Sequence, residues 1–192
     1  MRELLVVSDD YWGARAEASV QERDDVLIAV DRSGGLIRAL KLVLRRSVPL
    51  RAAIYMWLAQ RSLPQEKPNA RLAFSDNAEL RSLAEREQVT DIVLFRAGLI
   101  ISGKTLENCH VRNIHCADID GFGGLASIFR AIRAGAFHQT ATLHTVTNRI
   151  DEGEVLDVEP FELDPKVGYA ANENRAYEAG IRLLVRTLGG GV

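Results

Sequence analysis

Three short apolar runs and one exception limit how this chain can fold. Residues 3–7 (Glu-Leu-Leu-Val-Val), 26–30 (Val-Leu-Ile-Ala-Val) and 91–95 (Asp-Ile-Val-Leu-Phe) are of strand length, and the first two end in the turn-forming stretches Ser8-Asp9-Asp10 and Asp31-Arg32-Ser33-Gly34-Gly35. Runs this apolar have no polar face to turn to water, so they read as strands buried on both faces, the mark of a parallel sheet. The fourth run, Val111-Arg112-Asn113-Ile114-His115, has the same length but carries polar residues inside it. Helical signals lie between these strands. Apolar residues at helical spacing mark 36–46, Pro49 heads 50–61, and Asp76-Asn77-Ala78-Glu79 is a capping box opening a helix to about residue 87 that buries Leu80, Leu83 and Ala84. Residues 8–13 and the stretch around Pro64 and Pro68 read as loops. Residues 140–146 and 155–163 alternate as antiparallel strands, and 169–188 form an amphipathic helix ended by Gly189-Gly190-Gly191. The expected fold is α/β: three layers around a mostly parallel, doubly wound sheet with an antiparallel C-terminal hairpin, made by residues 1–192 as a single domain.

Composition bears on partners. A net charge of −2, with 26% charged and 47% apolar residues, gives no general attraction to nucleic acid or to an anionic membrane, so neither is expected as a partner. No apolar run is long enough to span a bilayer, and the apolar start is broken at Ser8, too soon for a signal peptide. The expected location is cytoplasmic, which suits two cysteines that make no disulfide framework. A homodimer is left open.

Both cysteines (Cys109, Cys116) and all four histidines (His110, His115, His138, His144) fall between residues 109 and 144. Side chains that move protons near neutral pH are thus confined to one stretch, where chemistry is to be sought. Asn113 and His115 are two apart on a strand and project from the same face. The pairs Cys109-His110 and His115-Cys116 invite a metal reading, but zinc ligands are normally two to four residues apart or along one helix face, so no metal is expected and the cysteines read as small packing residues.

Asn113-Ile114-His115, a helix ending at Gly135, a strand containing His144, and Ile150-Asp151-Glu152-Gly153 follow one another in the order found in the folate-dependent formyltransferases, and the chain resembles that family. The resemblance implies formyl transfer from 10-formyltetrahydrofolate to an amine, with Asn113 donating to the oxyanion and His115 acting as second donor or proton shuttle. It further implies that Asp151 keeps His115 charged and orders a relaying water. The family holds the pterin ring largely through backbone, which by position implicates Phe95, Leu99 and Ile101 after the fourth strand and Val146 and Asn148 before the catalytic Asp.

The chain also departs from the family pattern. Where relatives carry His-Pro-Ser-Leu-Leu-Pro, this sequence has His115-Cys116-Ala117-Asp118-Ile119-Asp120, and Ser8-Asp9-Asp10-Tyr11-Trp12 is not the glycine-rich phosphate loop of the purine-pathway members. No basic C-terminal tRNA domain is expected. What the resemblance leaves is a small amine acceptor, either an amino sugar, with or without a linked nucleotide, or an amino-acid-like metabolite. Seven cations and no acid lie between Arg32 and Gln65. They read either as a solvated helix face or as a phosphate site, with Arg32 and Arg38 the acceptor-binding candidates. Hydrolysis of formyltetrahydrofolate, or folate binding without turnover, are the alternatives.

Overall fold

The four runs, with a three-residue strand beside the second, form the parallel part of one seven-stranded sheet. The computed structural model describes residues 2–34 and 48–189. Its strands are β1 (Glu3–Ser8), β2 (Val26–Asp31), β3 (Leu72–Phe74), β4 (Asp91–Phe95), β5 (His110–His115), β6 (His138–Thr145) and β7 (Val155–Glu162). They lie in the order β3-β2-β1-β4-β5-β6-β7. Pairing is parallel from β3 through β5 and antiparallel from β5 to β6 and β6 to β7, as expected.

The described helices are α1 (Tyr11–Val20), α2 (Leu50–Arg61), α3 (Asn77–Glu87), α4 (Lys104–Asn108), α5 (Ile119–Phe122), α6 (Ser127–Ala134) and α7 (Tyr169–Gly189). The helix expected at 36–46, which would contain Arg38, lies outside the described residues. Period-two alternation along the strands makes the layers. Leu5, Val7, Val30, Val93, Phe95 and Ile114 point to one face and pack under α1 and α7. Leu4, Val6, Ala29, Ile92, Leu94 and Val111 point to the other and pack under Leu80, Leu83 and Ala84 of α3. Among the described residues no helix is long and apolar enough to cross a membrane.

Several local readings change. The loop expected at 8–13 shrinks to residues 9 and 10, because the Asp10 carboxylate caps α1 by accepting from Gly13 N at 3.1 Å. Gly13 belongs to that helix, and a Cβ there would collide with the Ser8 carbonyl, so it marks a close approach and not a turn. The three-residue β3 and short α4 and α5 leave no periodic signal at all. At α3 the Asp76 carboxylate accepts from Ala78 N and Glu79 N, but Glu79 reaches back to Ser75 N, one residue beyond the cap.

The longest helix, α7, lies across β5, β6 and β7, and seats closely through Gly180, where a Cβ would stand 2.6 Å from Cys116 Sγ and 2.9 Å from the Phe95 ring. Alanine in mid-helix ordinarily gains up to about 1 kcal/mol over glycine. Here overpacking is expected to exceed that gain, since it costs about 1–3 kcal/mol in a well-filled core. Gly180→Ala should therefore lower the midpoint of denaturant unfolding; an unchanged or raised midpoint would mean that this contact relaxes freely.

Candidate functional site

At the carboxyl end of β5, on the face opposite α7, four polar side chains meet. Asn113 and His115 come from β5. His144 comes from β6, where it stands directly across from Asn113 in the antiparallel register. Asp151 comes from the turn between β6 and β7 and has a left-handed backbone, φ +54°, unusual for a residue other than glycine. Two glycines allow the turn to fold onto the sheet. A Cβ at Gly153 would collide with the Thr145 carbonyl, and one at Gly123 would lie 2.9 Å from the Ile119 carbonyl oxygen and 3.3 Å from Asp151 Cβ. The Asp-x-Gly spacing of the motif thus has a steric reason in this chain.

The Asp151 carboxylate is the hub. Its Oδ2 accepts from Gly124 N at 2.7 Å and lies 3.4 Å from His115 Nδ1, while Oδ1 lies 3.5 Å from His144 Nε2. Its side chain is 11% exposed, that of His115 15% and that of His144 2%. Burial works to raise the Asp151 pKa, but the His144 and His115 rings and the Gly124 amide outweigh it and hold the carboxyl at about 2. For His115 the balance is reversed. Burial lowers its pKa from the ordinary 6.5, and the upward pulls of Asp151 and of the Phe122 carbonyl do not make up the difference. The expectation that Asp151 keeps His115 charged is therefore corrected: in the free protein the desolvation of a buried ring wins, and His115 is a neutral base at neutral pH.

Hydrogen-bond partners fix the roles of the nitrogens. His144 Nδ1 lies 2.9 Å from the Thr145 carbonyl oxygen, so this nitrogen carries a proton and donates. Nε2 stands between the Asn113 amide nitrogen at 3.1 Å and Asp151 Oδ1 at 3.5 Å: without a proton it accepts from the amide, leaving the second amide hydrogen of Asn113 over, and with one it donates to the carboxylate. His115 meets an acceptor on each side, the Phe122 carbonyl 3.3 Å from Nε2 and Asp151 at Nδ1. A neutral ring can donate to only one of them, whereas an imidazolium satisfies both.

The structure thus brings together Asn113, His115 and Asp151, and adds His144, which sequence reasoning left out of the catalytic set. The alternation of residues 140–146 places Thr142 and His144 on one face, and that was the available signal. Leu99, Ile101 and Val146 share an apolar cluster with Val111, on the same face as Asn113. Phe95 instead packs on the α7 face, fully buried, so only its backbone is left to meet a ligand, and Asn148 stands exposed in the turn after β6. The segment 96–101 is tied down from three neighbours. Leu99 N donates to Asp31 Oδ2 at 2.7 Å, Arg96 pairs with Asp10 at 2.7 Å, and the Asn77 side chain donates to the Ile100 carbonyl at 3.0 Å. Arg32 is exposed at the carboxyl end of β2. Cys116 is buried, its thiol pushed up to about 12 by burial, and Cys109 is half-buried. Among the described residues no group of three or more metal-ligating side chains could hold a metal ion.

An α/β sheet that gathers an amide, two imidazoles and a carboxylate at the carboxyl end of an interior strand defines a protein suited to acid–base chemistry on a small molecule. The family model described as Formyl transferase matches residues 58–188, and the chain belongs to that family. Over 114 residues it is 26% identical to the methionyl-tRNA formyltransferase of Rickettsia rickettsii, a match covering 58% of this chain and 38% of that protein, so the chain spans well under half of the curated relatives' length. Its fold is similar to that of phosphoribosylglycinamide formyltransferase from Streptococcus pneumoniae (22% identity, TM-score 0.61, 99% of this chain and 100% of that one). It is similar also to a formyltetrahydrofolate deformylase from Pseudomonas syringae (20% identity, TM-score 0.66, 97% and 59%). A third fold relative is an N-formyltransferase from Helicobacter canadensis in complex with folinic acid and dTDP-3-aminofucose (12% identity, TM-score 0.66, 98% and 63%).

The two shifted groups make stability depend on pH in one direction. Both have folded pKa values below their unfolded ones, so the unfolded chain binds more protons and stability rises with pH. His115 adds no acid penalty above about pH 6.5 and a growing one as pH falls below it toward the lowered folded value. The Asp151 contribution is complete above pH 3.8 and is lost as pH falls toward about 2. Asp151→Asn should abolish the loss in that second window, on the order of 2 kcal/mol. Denaturant titrations at stepped pH check this, and an unaltered acid limb in the variant would contradict the burial and contacts described.

Proposed function

We propose that this chain transfers the formyl group of 10-formyltetrahydrofolate to a small amine, with residues 1–192 acting as one catalytic domain. The observation that carries this reading is the convergence of Asn113, His115 and Asp151, joined by His144, on one side of β5. As the amine attacks the formyl carbon, the carbonyl oxygen becomes an oxyanion and meets the remaining Asn113 amide hydrogen. Neutral His115 takes the proton leaving the amine nitrogen and becomes an imidazolium held between Asp151 and the Phe122 carbonyl. That proton passes to the folate nitrogen as its bond to the formyl carbon breaks, and tetrahydrofolate departs. No covalent enzyme intermediate is needed. In this reading the pterin is seated by the backbone of 95–101 and 146–149, with Leu99, Ile101 and Val146 lining the apolar floor.

For the acceptor we favour a nucleotide-linked amino sugar. Arg32, exposed where β2 ends, is placed where segments leaving a parallel sheet border the ligand crevice, and it opens the run of cations that contains no acid. Arg38 belongs to the same proposal from sequence alone.

Two measurements test this. Asn113→Ala, His115→Ala and Asp151→Asn should each lower turnover of 10-formyltetrahydrofolate by about a hundredfold or more while the fold persists, as expected for loss of an oxyanion donor or a positioned proton carrier. Formate released without an amine would identify a hydrolase, and tight folate binding without turnover a binding protein. For the acceptor, Arg32→Ala should raise the Michaelis constant of a nucleotide-linked amino sugar and leave that of the folate unchanged, with acceptor binding weakening as salt rises. A phosphate-free amine that outcompetes every nucleotide-linked one would favour an amino-acid-like acceptor.

A further inference from the structure

The segment between β5 and α6 touches both His115 and Asp151, through the Phe122 carbonyl at His115 and the Gly124 amide at Asp151. Its glycine-rich second half, after α5, is poorly equipped to hold itself in place. Residues 116–126 include three glycines (Gly121, Gly123, Gly124) and no proline, and Gly124 has a φ of +80°. Such a segment has much backbone freedom to lose on folding. Its first half is held by α5 and by Thr142 at the Ala117 carbonyl, whereas the carbonyls from Phe122 onward are gathered by one side chain on α6. Arg130 donates through Nη2 to the Phe122 carbonyl at 2.9 Å and to the Gly123 carbonyl, and through Nε to the Leu125 carbonyl at 3.3 Å. The fork of the guanidinium suits this task, since it presents several donors in one rigid plane.

We propose that Arg130 is a positioning residue for formyl transfer: by gathering the carbonyls of Phe122, Gly123 and Leu125 it sets the Phe122 oxygen against His115 and the Gly124 amide against Asp151. The inference rests on the reading of the site given above. Arg130 touches neither His115 nor Asp151 by a hydrogen bond; it acts on them through the backbone of the loop, and its charge acts on His115 directly by disfavouring the imidazolium, a part that Arg130→Lys retains. Its effect should therefore appear in the rate of the chemical step and not in the binding of folate.

The test compares wild type, Arg130→Met and Arg130→Lys in steady-state turnover of 10-formyltetrahydrofolate, with circular dichroism to follow the fold and hydrogen exchange to follow the Gly124 amide. Arg130→Met should lower kcat at least tenfold, leave the Michaelis constant of the folate within about twofold, and speed exchange at Gly124. Arg130→Lys, which keeps the charge but reaches fewer carbonyls, should recover part of kcat and remain below wild type. Should the methionine variant fail to fold, the lysine variant decides alone: kcat equal to wild type overturns the proposal, and a drop in kcat at constant Michaelis constant supports it. A folded Arg130→Met that turns over like wild type, or that loses only folate affinity, also overturns it. Wild-type protein that neither transfers nor hydrolyses the formyl group would remove the functional reading and this inference together; active wild type beside an equally active Arg130→Met removes this inference alone.

Discussion

The site depends on Asp151 being held with a left-handed backbone, which few residues other than glycine, asparagine and aspartate adopt. A left-handed backbone at a residue other than glycine costs on the order of 1–3 kcal/mol unless its surroundings compensate. Here they do so at both ends. The carboxylate takes a short hydrogen bond from the Gly124 amide and faces two imidazoles, and Gly123 and Gly153 remove the atoms that would otherwise keep the turn off the sheet. A charge-assisted hydrogen bond inside a poorly solvated pocket is worth more than its counterpart in water, so a few such contacts suffice to offset the strain.

The same burial that strengthens these contacts divides the proton states. Low polarity penalises every charged form, and the outcome for each group depends on whether its partners repay that penalty. Asp151 has three favourable neighbours and stays ionised, whereas His115 has acceptors at longer range and is left neutral. A carboxylate next to a neutral base is the pair that a proton-accepting step requires. Both nitrogens of His115 face oxygen atoms, an arrangement that would hold an imidazolium formed there.

Much of this was legible in the sequence, and the remainder was hidden for identifiable reasons. Residues 91–95 and 50–61 are read with their observed bounds because their signals are local: an apolar run for the first, a leading proline for the second. Asn113 and His115 follow from a polar interruption of a strand, two residues apart. His144 is part of the same centre only through the antiparallel register that sets it opposite Asn113, and register between strands separated by some thirty residues is not a local property. The first helix is obscured because Gly13 looks like a turn, although its role is to let α1 approach the Ser8 carbonyl. The charge state of His115 is misjudged from sequence because a neighbouring carboxylate can be inferred from a motif, but the degree of burial cannot.

The position of the centre follows from the change of strand direction. Parallel strands need crossovers, and those supply α1 and α3, which cover the two faces around β1, β2 and β4. From β5 onward the strands run antiparallel, and β6 joins β7 by a turn that brings no helix with it. On the face away from α7 this leaves Asn113, His115, Thr142 and His144 covered mainly by loop segments, 116–126 around the one-turn α5 and 147–153. Loops satisfy polar groups with their own backbone amides and carbonyls, as Ala117 does for Thr142 and Gly124 for Asp151, where a helix with its bonds already made could not. Polar side chains are stable at this point of the sheet because the segments over them offer backbone amides and carbonyls as partners, and anything that fixes that backbone also fixes the geometry of those side chains.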